Sequence, residues 1–221
     1  MGKKRIKHLG KNKKIINKLK LYSKKIGITA CVLLSIVALF LITKDLETKE
    51  LEEKKEIELA LDKDKTSFIK SIEKGARKSY KKYGIYPSVT IAQAILESGW
   101  GQSKLSTESN NIFGIKADIS WNGDYVEVIT SENYDDTITA KFRKYEDINK
   151  SIEDHAKFLV ENPRYEECGV FKAKNYKDQA QALEDAGYST KQNQNGEFIY
   201  ADMLIDIIER YGLHKIDNAY R

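Results

Sequence analysis

Residues 26–42, IGITACVLLSIVALFLI, run for seventeen positions without a charge, bounded by Lys24 and Lys25 on one side and Lys44 and Asp45 on the other. So long an apolar run has few fates in water, and it reaches the lower end of the roughly 17 to 25 residues a helix needs to cross a bilayer. Residues 1–25 hold eleven Lys or Arg and no acid, a charge of +11. Cationic flanks stay in the cytoplasm, so this tail predicts a cytoplasmic N-terminus. The whole chain carries +5, which leaves −6 after residue 25. An acidic body outside the cell membrane, held by a single-pass helix, is the expected topology. A cleaved signal peptide fits less well, since its apolar core is about 7 to 15 residues and ends in small residues. The exit here reads Phe40-Leu41-Ile42-Thr43-Lys44. Ile28-Thr29-Ala30-Cys31 resembles a lipoprotein box only superficially, because the apolar stretch follows the cysteine, and Cys31 is read as a membrane residue.

The other limits are broad. At 221 residues, with 41% hydrophobic residues and only 2 prolines, the chain suits one folded domain with appendages and excludes collagen-like or disordered classes. Cys31 and Cys168 fall in unlike regions, so no disulfide framework is expected. His8, His155 and His214 lie far apart without ligand spacing, and neither a metal nor another cofactor is expected. Residues 44–65 are almost all Glu, Lys, Asp and Leu, with pairs such as Glu50 and Lys54 at helical spacing. They read as a charged stalk, helical or disordered. The expected organisation is a basic tail at 1–25, an anchor at 26–43, a stalk at 44–65 and a catalytic domain at 66–221.

Within that domain, Phe68, Ile69, Ile72, Ala76 and Tyr80 recur at three and four residues, predicting an amphipathic helix that stops near Gly84. Tyr86-Pro87 breaks the chain, and Ser88 is expected to cap a second helix over residues 89–98. That helix is apolar nearly all round, so it should be buried. Its exceptions, Thr90, Gln93 and Glu97, form one polar stripe ending in a carboxylate beside Gly99-Trp100-Gly101. Such a carboxylate is placed to have a raised pKa. Residues 125–130 and 137–143 are rich in Val, Ile, Thr and aromatics and should pair as a hairpin, with a polar acidic link at 131–136. Helical patterns follow at 150–161, 176–186 and 198–211, the last with Ile199, Met203, Ile207 and Tyr211 in register. The fold class is mainly α, in the broad sense α+β, with one small β element.

Glycosidic cleavage needs a protonated acid on the leaving oxygen and usually a second carboxylate for water or the oxocarbenium ion. Glu97 suits the first role, and Glu132 the second if the hairpin folds over a cleft. Asp135, Asp136 and Glu127 are alternatives by spacing alone.

The segment 87–116, PSVTIAQAILESGWGQSKLSTESNNIFGIK, is similar to the signature of the endo-β-N-acetylglucosaminidase family of peptidoglycan hydrolases, glycoside hydrolase family 73, which includes flagellar-rod and autolysin-type members. The resemblance continues in order through Trp121-Asn122-Gly123, Thr130-Ser131-Glu132, the AKFRKY run at 140–145, Asn162-Pro163-Arg164-Tyr165, the AGYST run at 186–190 and Tyr200-Ala201. It covers roughly residues 66–214. It implies a lysozyme-like helical domain with a β-lobe, Glu97 as general acid and Glu132 as second carboxylate on a mobile hairpin. It also implies that Tyr188 and Tyr200 are cleft tyrosines and that Asn111, Phe113 and Gly114 belong to a cleft-forming NxFG segment. Gln93, Trp100 and Trp121 complete the candidate substrate-binding set. Trp100 either plugs the core behind Glu97 or stacks on a sugar, Trp121 looks like an exposed carbohydrate platform, and core packing competes for Phe113 and Tyr200. One departure stands out. Family members commonly pass from a GYAT-like motif almost directly to the YA motif, whereas residues 191–198, KQNQNGEF, intervene here.

The expected partners are therefore peptidoglycan glycan strands and, through the N-terminal helix, the cytoplasmic membrane. Secretion or conjugation machinery is a further partner class, and nucleic acid is not required because topology explains the basic tail. A lytic transglycosylase or muramidase on the same fold, and a non-catalytic cell-wall scaffold, are the competing functions. Retention of both Glu97 and Glu132 argues for a hydrolase.

Overall fold

The structure is a computed structural model. It describes the backbone of residues 3–132 and 136–218, with side chains placed throughout 39–129 and 139–218. The chain divides into two compact units, Met1–Asp62 and Lys63–Arg221.

In the first unit the backbone is helical from Lys3, as the start of helix α1 (Lys3–Tyr83). Ion pairs one turn apart, Lys49 with Asp45 at 2.6 Å and Lys54 with Glu50 at 2.7 Å, line its solvated surface. Of the two expectations for residues 44–65, the helix is the one observed. Among the described residues no helix is long and apolar enough to cross a membrane. The side chains of residues 26–38, which carry most of the expected anchor, lie outside the described residues.

The second unit is mainly helical with one two-stranded sheet. The end of α1 contributes Ile72 and Ala76 to its core. Next comes α2 (Pro87–Ser98), whose residues are buried from Pro87 to Ala94 and beyond, as its apolar composition requires. Ser88 does not cap it. Tyr86 occupies the cap position, Pro87 opens the helix, and the Ser88 N–H and hydroxyl both donate to Asp217, at 2.9 and 2.6 Å. Proline at the first helical position loses no bond, because that N–H has no intrahelical partner. The Ser88 N–H, also free of an intrahelical partner, takes a carboxylate from the far end of the chain.

A short helix α3 (Lys104–Ser109) leads into the sheet. Strands β1 (Tyr125–Glu132) and β2 (Asp136–Arg143) pair antiparallel from Tyr125 with Arg143 to Glu132 with Asp136, extending further toward the tip than the expected strands. The helices α4 (Ile148–Glu161), α5 (Pro163–Glu167), α6 (Tyr176–Asp185), α7 (Tyr200–Arg210) and α8 (His214–Asp217) complete the unit. Buried Ile152, Leu159, Leu183, Leu204 and Ile208 pack around α2. The α7 stripe lies one residue from the expected one: Tyr200, Ala201, Leu204 and Ile208 are buried, whereas Met203, Ile207 and Tyr211 are half-buried. Gln179 ties the α1–α2 link to this core, accepting from the Tyr86 N–H at 2.7 Å and donating to the Gly84 carbonyl at 3.1 Å.

Candidate active site

Glu97 is the last side chain but one of α2, and the turn after Ser98 fixes where it points. Gly99, Trp100 and Gly101 all take positive φ, 56°, 63° and 75°. Glycine enters this region freely and tryptophan does not, so the stop holds Trp100 in a conformation that costs on the order of 1 to 3 kcal/mol. Packing offsets that cost: the indole meets Tyr211 edge-on at 4.8 Å and Phe68 at 6.3 Å. Trp100 is thus a plug behind the helix end, away from the groove that Glu97 faces.

That groove has a volume of about 390 Å³ and is lined by Glu97, by Phe113, Gly114 and Ile115, by Arg164 and Tyr165, and by Tyr188 and Ser189. Glu97 reaches water there, yet protein fills much of the volume around its carboxyl, and it is the lost solvation that governs the energy of charging it. Desolvation raises its pKa, opposed by the hydrogen bond from Tyr200 and by the charge of Lys191. The raised pKa expected from the α2 stripe is therefore present.

A buried relay holds the carboxyl from behind. The Gln93 amide donates to the Tyr200 hydroxyl at 3.1 Å, and the Tyr200 hydroxyl donates to Glu97 Oε1 at 2.9 Å. Burial, Tyr188 and the Glu97 charge push the Tyr200 phenol far above its ordinary pKa, so it stays a donor. Tyr200 is aimed by the start of α7, where the Glu184 carboxylate accepts the Ala201 N–H at 2.9 Å. Gln93 is fully buried and reaches the groove only through Tyr200.

Aromatic stacking extends this wall. Tyr188 stacks on Tyr200 with ring centroids 5.2 Å apart, and His155 lies flat on Phe113 at 3.9 Å while meeting Tyr188 edge-on at 5.9 Å. Both sequence-predicted tyrosines are brought to Glu97 despite the eight intervening residues. Phe113 both packs and lines the groove.

The NxFG segment is held by its first residue. Asn111 is buried, donates to the Ile115 and Arg143 carbonyls at 2.9 and 2.8 Å and accepts the Ile115 N–H at 3.0 Å. It shapes the loop and does not face the groove. Gly114 lines the groove and takes φ 65°, which a side chain would resist.

Trp121 is half-buried, where the sequence suggests an exposed ring. Its indole N–H donates to the Asp124 carbonyl at 2.9 Å, the Arg143 guanidinium lies 4.7 Å over its ring, and Tyr145 meets it edge-on at 5.8 Å. A Cβ on Gly123 would stand 2.5 Å from that ring, so the Asn-Gly pair accommodates the indole. Glu132 ends β1 opposite Asp136, and its side chain lies outside the described residues, as does that of the rival Asp135.

The sequence reading missed the brace beneath the hairpin. Arg143 is buried and donates to Asp154 at 2.8 Å, to the Lys116 carbonyl at 3.2 Å and to Asp118 at 3.5 Å, while the Tyr145 hydroxyl donates to the same Asp154 oxygen at 2.7 Å. It also missed His155, fully buried with neither ring nitrogen bonded among the described residues. An arginine ending a strand and a histidine on a helix facing inward were the available signals.

Comparison with known proteins agrees with this architecture. The profile of the family described as glucosaminidase, mannosyl-glycoprotein endo-β-N-acetylglucosaminidase, matches residues 73–213. The chain belongs to this glucosaminidase family. It is 39% identical over 207 residues to the exo-glucosaminidase LytG of Bacillus subtilis (strain 168), covering 90% of this chain and 70% of LytG. It is 37% identical over 150 residues to the peptidoglycan hydrolase FlgJ of Vibrio parahaemolyticus, covering 65% of this chain and 46% of that protein, so it spans less than half of FlgJ. The catalytic domain of the Listeria monocytogenes autolysin Auto superposes with a TM-score of 0.59 at 36% identity, over 70% of this chain and 88% of that domain. The glucosaminidase domain is thus a glycoside hydrolase domain of lysozyme-like fold, with the Glu97 groove between the end of α2, the NxFG loop, α5 and the Tyr188–Ser189 segment.

Proposed function

We propose that the protein is a membrane-anchored peptidoglycan hydrolase that cleaves β-1,4 bonds at N-acetylglucosaminyl residues, with Glu97 as general acid and Glu132 as second carboxylate. The observation that carries this reading is the Glu97 carboxyl itself: its pKa is raised by desolvation, it faces an open groove, and a neutral buried phenol fixes its orientation. A carboxyl kept protonated closer to neutral pH is what a glycosidic oxygen needs to leave as an alcohol.

In the proposed reaction the Glu97 proton passes to the glycosidic oxygen as the C1–O bond breaks, leaving positive charge on C1 and the ring oxygen. Glu132, carried on the hairpin tip, stabilises that charge or accepts a proton from the water that adds to C1. Tyr188 and Phe113, which line the groove, offer apolar contact for the sugar rings. The apolar run at 26–42 behind a +11 tail supports the anchored location, with the N-terminus cytoplasmic and the glucosaminidase domain toward the wall.

The test is to incubate the purified full chain, held in detergent, with peptidoglycan and to identify the new ends by mass spectrometry. Reducing N-acetylglucosamine ends that disappear with Glu97→Gln and with Glu132→Gln are expected. Anhydro-muramyl ends would replace this reading with a transglycosylase, reducing muramyl ends with a muramidase, and no release with a scaffold. Retention in the membrane pellet after an alkaline wash tests the anchor.

A further inference from the structure

The stretch that separates this chain from the usual family spacing, residues 191–198, is a folded element. Gln192 and Phe198 pair across it as an antiparallel bridge. The Asn193 N–H donates to the Glu197 carbonyl at 2.9 Å, and its side-chain oxygen accepts the N–H groups of Asn195 and Glu197 at 2.9 and 3.0 Å. Gly196 turns the chain at φ 81°. Such a turn satisfies its own polar groups and needs no core to hold its shape.

The foot of this small hairpin stands on the groove. Ser189 lines the groove and its hydroxyl accepts the Lys191 N–H at 3.2 Å. On the other side the Ile199 N–H donates to the Lys191 carbonyl at 3.3 Å, immediately before the Tyr200 that holds Glu97. Lys191 is exposed and its ammonium makes no hydrogen bond or ion pair among the described residues, although its charge is felt at the Glu97 carboxyl. Arg164, also on the groove, is engaged by the Tyr165 hydroxyl at 2.6 Å. Lys191 thus follows groove-lining Ser189 by two residues with its main chain held in place, and its uncommitted charge, close enough to act on Glu97, suits an anion on the substrate.

We propose that Lys191 is a specificity residue whose ammonium binds a carboxylate carried by the glycan, and that the 191–198 hairpin exists to hold it there. This rests on the hydrolase reading above. In a strand alternating N-acetylglucosamine with muramic acid only the muramic residue bears anionic substituents, either a free lactyl carboxylate or a carboxylate of an attached peptide. A cation on one side of Glu97 therefore selects which sugar lies on that side and which of the two alternating bonds meets the acid. An exposed pair of this kind contributes a modest factor, about threefold to fivefold in KM.

The experiment uses the full chain and four substrates: glycan with peptides, glycan stripped of peptides, and each with its carboxyls converted to neutral amides. Lys191→Gln is expected to raise KM about threefold to fivefold on an unmodified glycan, with kcat little changed on the acid side of the rate profile, where Glu97 stays protonated with or without the Lys191 charge, and Lys191→Arg to restore it. Amidation is expected to raise the wild-type KM by a similar factor, and the two changes together should not multiply. An effect confined to the stripped glycan assigns the lactyl carboxylate, and one confined to the peptide-bearing glycan assigns the peptide. An unchanged KM in Lys191→Gln, or effects that multiply, overturns the assignment. Failure of the wild type to cut either unmodified glycan overturns the hydrolase reading and this inference with it.

Discussion

The wall behind Glu97 and the β-hairpin are built on different principles. On the α2 and α7 side the groups behind the carboxyl are buried and bonded in series, from Gln93 through Tyr200 to Glu97. In the hairpin, Glu132 ends a two-stranded sheet whose further backbone pairing among the described residues is at its base, where Lys116 bridges to Phe142. An isolated pair of strands is marginal in water, so that arm takes its support from its base. Buried Arg143 and Asn111 and half-buried Asp154 are concentrated there, in contact with α4 and the NxFG loop. A fixed acid can keep a raised pKa, because desolvation requires a constant surrounding. Among the described residues the hairpin has no such series of buried bonds along its length, and its side-chain contacts gather at the base.

Removing the Glu97 carboxyl tests the fixed wall and the proposed acid together and has the largest expected effect. Glu97→Gln keeps the acceptor for Tyr200 and removes the proton donor, so kcat should fall by about 10³-fold or more. Stability should move the other way. A carboxyl whose folded pKa is raised stabilises the fold below its unfolded pKa and loses that contribution as pH rises through the folded one, so Gln should be neutral or stabilising above that range. Activity of the wild type should fall as pH rises through the same pKa. A Glu97→Gln protein with more than a tenth of wild-type activity would remove Glu97 from the role of acid.

The brace is tested next. Asp154→Ala leaves the Arg143 guanidinium buried without its strongest partner, and breaking a buried pair from one side costs about 3 to 5 kcal/mol. Urea denaturation should report that loss, with a lower midpoint. If the arm depends on its base, substitutions at the β1 and β2 tip should cost far less than this one. Equal losses at tip and base would erase the distinction between a supported foot and an exposed arm.

Tyr200→Phe is smaller and touches the acid directly. It deletes the hydrogen bond that lowers the Glu97 pKa and leaves the Gln93 amide without its acceptor, a loss of about 1 to 3 kcal/mol. Without that bond desolvation acts less opposed, so the alkaline limb of the rate profile should move to higher pH. A limb that stays in place would show that the phenol does not tune the acid.

Much of this was legible in the sequence, for reasons that differ by element. Helix α2 announced itself because its residues are apolar or small and only Thr90, Gln93 and Glu97 break the pattern. The α7 stripe was displaced by one because Tyr200, Leu204 and Ile208 repeat at the same interval as Met203, Ile207 and Tyr211, and only packing in the folded core separates the two. Ser88 was read as a cap because local spacing cannot show a carboxylate 129 residues away. The tryptophans were the least legible: Trp100 and Trp121 are fixed by Tyr211 and Arg143, partners that only the folded chain brings near. Helices α3, α5 and α8, at four to six residues, are too short to carry a period.

His155 gives the smallest effect at neutral pH and the most selective one below it. Burial holds its pKa down at about 3, against an ordinary 6.5, and it is packed flat against Phe113 with both nitrogens unbonded among the described residues. The unfolded chain takes up a proton there as pH falls below 6.5, while the folded chain takes none until about 3, so folding stability declines through that window. His155→Phe keeps a flat ring against Phe113 and removes the titration. The two proteins should unfold at similar urea concentrations at pH 7, and the wild type should fall progressively behind between pH 6.5 and pH 3. Because Glu97 titrates in both proteins, its opposite contribution cancels in the difference. Parallel pH dependence would mean that His155 is protonated in the fold, and a charged imidazole behind Phe113 and Tyr188 would then belong to the electrostatics of the acid's wall.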